Sequence, residues 1–520
     1  MTVYLNTDNP LQNFKYLLNS KYYVDKSNII YKLNEIINTE NRYVCITKPR
    51  RFGKSSIIDL LGAYYTKVID SKGIFDELNI STSESYEKHL NKYNVLKIAF
   101  NNIPRGKNTY KKYMDMLETS LINDIKEKYP EIDINNCISM PEVFLKTKDK
   151  FVFIIDEWDY IFSHNLFEEN QQDFLEFLRN LLKDKPYVAL CYMTGVLPIK
   201  KYSEGSALNM FKEYTMLNDH VYSDFFGFTE EEVKELCRKN NEISFEEITE
   251  WYNGYLDGKG NAIYNPRSVV CALEDCHCQS YWTNTGAMDE VLYYLKYNIA
   301  DVRNDVIEMV SGNIVDIVID EEYRAGQKEP RTREEIYAAM IVYGFLAYYD
   351  GIIKIPNKEL MKEFEKALKD ESFGEVMQIV KKSESTLTAT LKGDSETVAG
   401  IIDDIHNSEI RILKYNDENS LSCVITLAYL LARNYYRIER EEKTGKGYAD
   451  FMFHPKRRND IAFILELKMD EKPDTALKQI KEKKYYQKFI SENEKRKILA
   501  VAICYNSKTK EHECKIEEIN

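Results

Sequence analysis

No stretch of this 520-residue chain approaches the ~18 consecutive apolar residues that a membrane-spanning helix requires, so no membrane partner is expected. The first residues, Met1 to Pro10, lack a basic region followed by an apolar one, which makes a cytoplasmic location the expectation. Cysteine is present but unframed: ten residues are scattered over a long chain and read as buried thiols in a reducing compartment. The one cluster, Cys271, Cys276, His277 and Cys278, lacks the paired C-x2-C arms of a structural zinc site and reads as chance. Net positive charge is also missing. A formal charge of −13 excludes a globally basic nucleic-acid coat and leaves only a local basic groove. What remains is 44% hydrophobic and 30% charged residues, an ordinary globular composition. Such a length predicts two or three domains, because single cores rarely exceed ~300 residues.

The sharpest pattern is Val44 to Ser55, an apolar run and a basic loop that ends Gly53-Lys54-Ser55, followed by the apolar-periodic Ser56-Ile-Ile-Asp-Leu-Leu61. Strand, loop and helix in this order are the layout of a phosphate-binding P-loop, whose backbone N–H groups and helix N-terminus surround the phosphates. A bare Gly-Lys-Ser is otherwise a capped turn, and the flanking strand and helix with a later acidic strand end favour the nucleotide site. Arg50, Arg51, Gly53 and Ser56 belong to this nucleotide-binding loop. Lys54 is placed to reach the β- and γ-phosphates and Ser55 to hold Mg2+. One departure stands out: the usual first glycine of G-x-x-x-x-G-K-[ST] is Lys48.

Upstream, Ile29 to Ile37 has helical spacing, with Asp25 and Ser27 as candidate caps. Downstream, the strand Asn94–Phe100 and the helix Tyr110–Tyr129 continue a strand–helix alternation that predicts a parallel sheet. Phe151-Val-Phe-Ile-Ile-Asp156 is an apolar strand ending in acids. Asp156 suits the Mg2+ of a P-loop NTPase, and Glu157 suits the attacking water. An acidic helix cap explains one such acid but not the pairing with a P-loop. The strand Val188–Gly195 carries Thr194 at its carboxyl end, as a γ-phosphate sensor or a simple turn residue. Thr229 and Glu232 spell a capping box that begins a helical lid running through Trp251-Tyr-Asn-Gly-Tyr255. From Tyr281 to about Phe373 the pattern is helical and aromatic, without evident chemistry.

Beyond Ser395 a second α/β unit is expected. An apolar helix, Leu421–Tyr436, precedes a hairpin-like pair, Ile438 to Phe453, with Gly445 and Gly447 at its turn, and then the strand Asp460–Lys468. Period-two alternation puts Glu466 and Lys468 on one face of that strand. Metal-assisted phosphodiester hydrolysis gives this pairing a reason: Asp450 and Glu466 hold Mg2+ while Lys468 handles the water, with Glu439 as a further carboxylate. An exposed Glu–Lys ion pair is the alternative. Lys478, Lys481, Lys483, Lys484 and Lys488 offer phosphate contacts or a solvated helix face.

Tyr22-Tyr-Val-Asp-Lys-Ser27, Lys48-Pro-Arg-Arg-Phe-Gly-Lys-Ser55, Ile155-Asp-Glu-Trp-Asp159, Thr194-Gly-Val196 and Trp251-Tyr-Asn-Gly-Tyr255 together resemble the bacterial AAA-ATPase-like family. Gly445-x-Gly-Tyr-Ala-Asp450 with Glu466-Leu-Lys468 resembles the PD-(D/E)XK nuclease domain commonly fused to it. The resemblance implies Asp450, Glu466 and Lys468 as a nuclease core, Glu439 as an upstream acid and Gln479 as a contributor from the following helix. Tyr448, where arginine is frequent, and Trp158, where tyrosine is frequent, depart from the pattern.

The expected architecture is α/β throughout. Residues 1–275 form a P-loop NTPase parallel sheet with a helical lid, 276–394 a helical connector, and 395–520 a restriction-endonuclease-like domain. The expected cofactors are ATP and Mg2+, and the expected partner is nucleic acid, DNA before RNA, with a homo-oligomer left open. ATP would gate cleavage. The first rival is a nucleotide-dependent switch or scaffold whose C-terminal domain binds nucleic acid or protein without cutting, and the second is a structural protein that uses neither site.

Overall fold

The computed structural model describes the chain apart from residues 1, 105, 107–108, 135, 200–206, 241, 284–301, 311–312, 320–322, 324–329, 331, 369–374, 408–417, 445–446, 458–459, 491–495 and 520. It divides into two compact units, one made of Met1–Ala287 with Asp316–Leu360, the other of Met288–Val315 with Met361–Asn520. The stretch 276–394, expected as a connector, is thus shared between them, and parts of it lie outside the described residues. Among the described residues no helix is long and apolar enough to cross a membrane.

The first unit is built on a five-stranded, wholly parallel sheet of β1 (Tyr43–Thr47), β2 (Asn94–Ala99), β3 (Phe151–Asp156), β4 (Val188–Gly195) and β5 (Lys212–Tyr214). Their order across the sheet is β2-β3-β4-β1-β5. The apolar runs seen in the sequence become strands buried along their length, as a sheet covered on both faces demands. One core packs Leu96, Phe153 and Met193 against the helix Tyr110–Lys128, and the other packs Ile46, Ile154 and Tyr192 against the helix Lys54–Tyr65. The P-loop strand β1 and the acidic strand β3 are not neighbours, because β4 runs between them.

Several local expectations change. The early helix spans Ile29–Asn34, and Asp25 and Ser27 do not cap it. Asp25 instead accepts from the amides of Ser27 and Asn79, and Ser27 Oγ accepts from the Ile80 amide, so both pin a later loop. The lid behaves as its sequence suggests: Thr229 and Glu232 form a reciprocal capping box at the helix Glu230–Lys239. Its helices, which include Phe245–Tyr252 and Pro266–Asp275, pack with a small antiparallel sheet of β6 (Phe228–Thr229), β7 (Tyr255–Leu256) and β8 (Ala262–Tyr264). After β9 (Val315–Asp316), β10 (Ala347–Tyr349) and β11 (Ile352–Lys354) make an antiparallel hairpin in the stretch expected to be helical.

The second unit holds a five-stranded mixed sheet of β12 (Tyr436–Thr444), β13 (Gly447–Pro455), β14 (Ala462–Met469), β15 (Ile498–Asn506) and β16 (Glu511–Ile519), in that order. Only the β14–β15 pair is parallel. Thr444 pairs with Gly447 at the β12–β13 turn, while Gly445 lies outside the described residues. The apolar stretch 421–436 splits into the helix Glu418–Ala428 and a 3-10 turn, Leu430–Asn434. Phe453 stacks on its register partner Phe463 with ring centroids 3.9 Å apart, which fixes β13 against β14.

Candidate functional site

In the first unit a cleft of about 690 Å³ opens at the carboxyl ends of β1 and β3, where ligands sit in parallel α/β sheets. Arg50, Arg51, Gly53, Lys54, Ser55 and Ser56 line it from the loop, Asp156 and Glu157 from β3, and Arg267 from the lid. Gly53 has a φ of +90°, which a side chain rarely tolerates, and directly precedes the helix Lys54–Tyr65. Arg51 and Glu157, neither of them glycine, also sit at positive φ, 71° and 47°. Such conformations cost on the order of 1–3 kcal/mol and persist where the surroundings impose them; here both residues face one cleft.

Ser55 Oγ donates to Asp156 Oδ2 at 3.3 Å, so residues a hundred positions apart in sequence meet as a hydroxyl and a carboxylate. Two hard oxygen ligands in contact at the mouth of a phosphate loop suit Mg2+. Burial, and then the Glu157 charge, push the Asp156 carboxyl up to about 6. A cation there would restore its charge. Lys54 is buried, its Nζ bonding the carbonyls of Lys48 and Pro49 at 2.8 Å each, and burial lowers it to about 8. Thr194 is not on the cleft lining. Its fully buried hydroxyl donates to the Ile46 carbonyl at 2.8 Å and ties β4 to β1.

Two features of this site are visible only in three dimensions. Asp159, 3% exposed, accepts from the amides of Val196 and Leu197 at 3.0 and 2.8 Å and orders the loop after β4. Its other oxygen comes so close to Gly195 that a Cβ there would lie 2.2 Å away, so the Asp-Glu-Trp-Asp and Thr-Gly-Val motifs interlock. Arg267 escapes a sequence reading because its signal, the Asn265 cap and Pro266 before it, announces only a helix start.

In the second unit the register Phe451↔Leu465 places the next residues, Asp450 of β13 and Glu466 of β14, opposite one another. Asp450 Oδ2 accepts from the Leu467 amide at 2.7 Å. Lys468 Nζ bonds Glu466 Oε1 at 3.1 Å, and Gln479, from the helix Pro473–Glu482, donates its amide to the same oxygen. Glu466 is 1% exposed, and its second oxygen, Oε2, is buried with no hydrogen-bond partner among the described residues. Burial, and then the Asp450 charge, raise the Glu466 carboxyl to about 7. Burial alone would lower the Lys468 ammonium, but Glu466 and Asp450 outweigh it and hold it above its ordinary value. A buried carboxylate oxygen without a partner, beside a second carboxylate, is a fit for a hard divalent cation.

Not every expected member joins this centre. Glu439 lies on β12 across from Met452, held by Arg437 at 2.9 Å and 3.7 Å from His454 Nε2. Of the following lysines, Lys481 pairs with Glu517 and Lys478 with Glu482.

Comparison with known proteins gives each region a family. Residues 10–203 match the family described as predicted AAA-ATPase, AAA-ATPase-like, and residues 416–514 match the PD-(D/E)XK nuclease superfamily. Over 279 residues the chain is 26% identical to an uncharacterized protein in the vnfD 5′ region of Azotobacter chroococcum mcd 1, covering 51% of this chain and 51% of that protein. The chain therefore spans about half the length of this curated relative. Among solved structures, the Walker-type ATPase of Pyrococcus abyssi aligns with 65% of this chain and 94% of its own at 16% identity, with a TM-score of 0.32. The ORC2 protein of Aeropyrum pernix, in its ADPNP–ADP complexes, aligns with 66% and 91% at 10% identity, with a TM-score of 0.29. The chain joins an AAA-ATPase-like region to a PD-(D/E)XK nuclease superfamily domain.

Proposed function

We propose that this chain binds and hydrolyses ATP with Mg2+, and that its nucleotide state governs a metal-dependent phosphodiesterase in the C-terminal unit that acts on nucleic acid, DNA before RNA. At the P-loop, Lys54 and the amides opening its helix take the phosphates, Ser55 and Asp156 take the cation, and Glu157 orients the attacking water. In the nuclease unit, Asp450 and Glu466 hold the divalent ion. When bound, that ion supplies Lewis acidity toward the scissile phosphate and its attacking water. Lys468, already pulled toward Glu466, orients the water as a charged donor, and Gln479 holds the Glu466 carboxylate in one orientation.

The observation that carries this reading is Glu466 Oε2, buried and without a hydrogen-bond partner among the described residues, on a carboxylate that also feels the Asp450 charge. A structural ion pair would not need a second carboxylate beside it. The test is cleavage of plasmid, single-stranded DNA and RNA with Mg2+ or Mn2+, with ATP, ADP or neither. Asp450→Ala and Lys468→Ala should each abolish cleavage, whereas only Asp450→Ala should also weaken Mn2+ binding. Activity surviving in Asp450→Ala removes the nuclease site. Equal rates in the three nucleotide conditions remove the gating and leave both sites standing.

A further inference from the structure

Lys48 stands where a phosphate loop ordinarily has its first glycine, and the fold gives its side chain a distinct task. It is 4% exposed, with Nζ forming an ion pair with Asp219 Oδ2 at 2.8 Å and donating to the Thr215 carbonyl at 2.9 Å. Asp219, 1% exposed, is fixed in turn: its Oδ1 accepts from the amides of Val221 and Tyr222 at 3.0 and 2.7 Å. The pair does not line the nucleotide cleft. Its reach into the site is through the backbone, because the carbonyls of Lys48 and Pro49 are the groups that hold the Lys54 ammonium.

The far end of the loop is gripped as well. The Phe52 carbonyl accepts from the Gly227 amide at 3.1 Å, and its ring meets Tyr255 edge-on with centroids 5.3 Å apart. Tyr255, the last residue of Trp-Tyr-Asn-Gly-Tyr, anchors its hydroxyl on the Gly344 carbonyl at 2.6 Å. The exposed part of the loop is Arg50 and Arg51, between the two grips.

We infer that Lys48 and Asp219 are positioning residues that replace the missing glycine, clamping the start of the loop so that its carbonyls present Lys54 to the phosphates; this rests on the reading of the cleft as an ATP site. A glycine supplies freedom for the loop to wrap phosphate, whereas a buried ion pair supplies a fixed course. The two devices lead to opposite expectations for one substitution. If the clamp holds the loop, restoring the consensus glycine at position 48 weakens nucleotide binding.

The experiment is calorimetric titration of the full chain with Mg-ATP, with a thermal melt of each variant. Lys48→Gly leaves Asp219 buried without its cation, and breaking such pairs is strongly destabilising, so it is accompanied by the double variant Lys48→Met with Asp219→Asn. The double variant leaves no lone buried charge and retains an oxygen for the Val221 and Tyr222 amides. It should melt close to wild type yet bind Mg-ATP about tenfold more weakly or worse, the scale expected when a binding group is misplaced by less than ~1 Å. Lys48→Arg, which keeps a cation for Asp219, should recover most of the affinity. Wild-type affinity in the folded double variant overturns the inference and leaves the ATP site intact. Absence of Mg-ATP binding by the wild type itself overturns the ATP reading, and the inference with it.

Discussion

Replacing Glu466 by glutamine tests the proposed metal centre of the second unit without asking it to cut anything. In the folded protein this carboxyl titrates at about 7, against an ordinary value of 4.5. The folded state therefore keeps its proton over a range in which the unfolded chain has already released it. Stability falls as pH rises from about 4.5 through about 7 and is flat beyond, because the raised carboxyl penalises the charged form only in the folded state. At ~1.4 kcal/mol per pKa unit the full penalty is on the order of 3 kcal/mol. In a domain of this size that corresponds to a melting shift of roughly several degrees. Glutamine carries no such charge, so without metal the Glu466→Gln chain should be the more stable at pH 8 and equal to wild type near pH 4.5. The wild-type minus variant difference cancels titrating groups remote from Glu466, leaving those coupled to it, Asp450 and Lys468. Mg2+ or Mn2+ reverses the order, since a cation at Glu466 Oε2 and Asp450 stabilises the carboxylate that burial disfavours, and should raise wild-type melting more at pH 8 than at pH 6. Thermal melts with chelator or with metal, across pH 4.5 to 8, give all four curves. Equal metal stabilisation of wild type and Glu466→Gln, or a wild-type stability in chelator that does not fall between pH 5 and 8 relative to the variant, refutes the reasoning.

At the other site, Glu157→Gln should leave Mg-ATP affinity near wild type and slow hydrolysis, read as phosphate release per bound nucleotide; wild-type turnover would make Glu157 an ordinary surface acid. Gly254→Ala should destabilise the first unit by roughly 3 kcal/mol or more, because the new Cβ falls 1.6 Å from the Pro356 carbonyl oxygen at a φ of +127°. A melt unchanged from wild type would show that this backbone relaxes freely.

The legible parts of this molecule were those in which chemistry and periodicity coincide. Gly53-Lys54-Ser55 after a buried strand, and Asp156 at the end of another, could be read because each motif is local and its strand is apolar throughout. That Ser55 and Asp156 meet depends on β4 standing between their strands, which no local pattern records. The position of Thr194 near a strand end is legible, but not the direction of its hydroxyl, which β1 captures through the Ile46 carbonyl. Asp450 and Glu466 follow from strand pairing, whereas Glu439 found Arg437 on its own strand. The short strand β5 has only three residues and no apolar run, so Asp219 beyond it, and the tie to Lys48, left no mark in the sequence.

The interleaving of the two units bears on how such a protein can be shortened or recombined. Residues 288–315 belong with the nuclease unit, and their Val310 carbonyl receives Arg433; residues 316–360 return to the ATPase unit, where Gly344 anchors Tyr255. A stop codon after the lid would strip the ATPase of the segment that steadies its loop. A start codon placed after Val315 would deprive the second unit of the helix Val302–Val310. Any single cut therefore either removes part of one unit or carries part of the other with it.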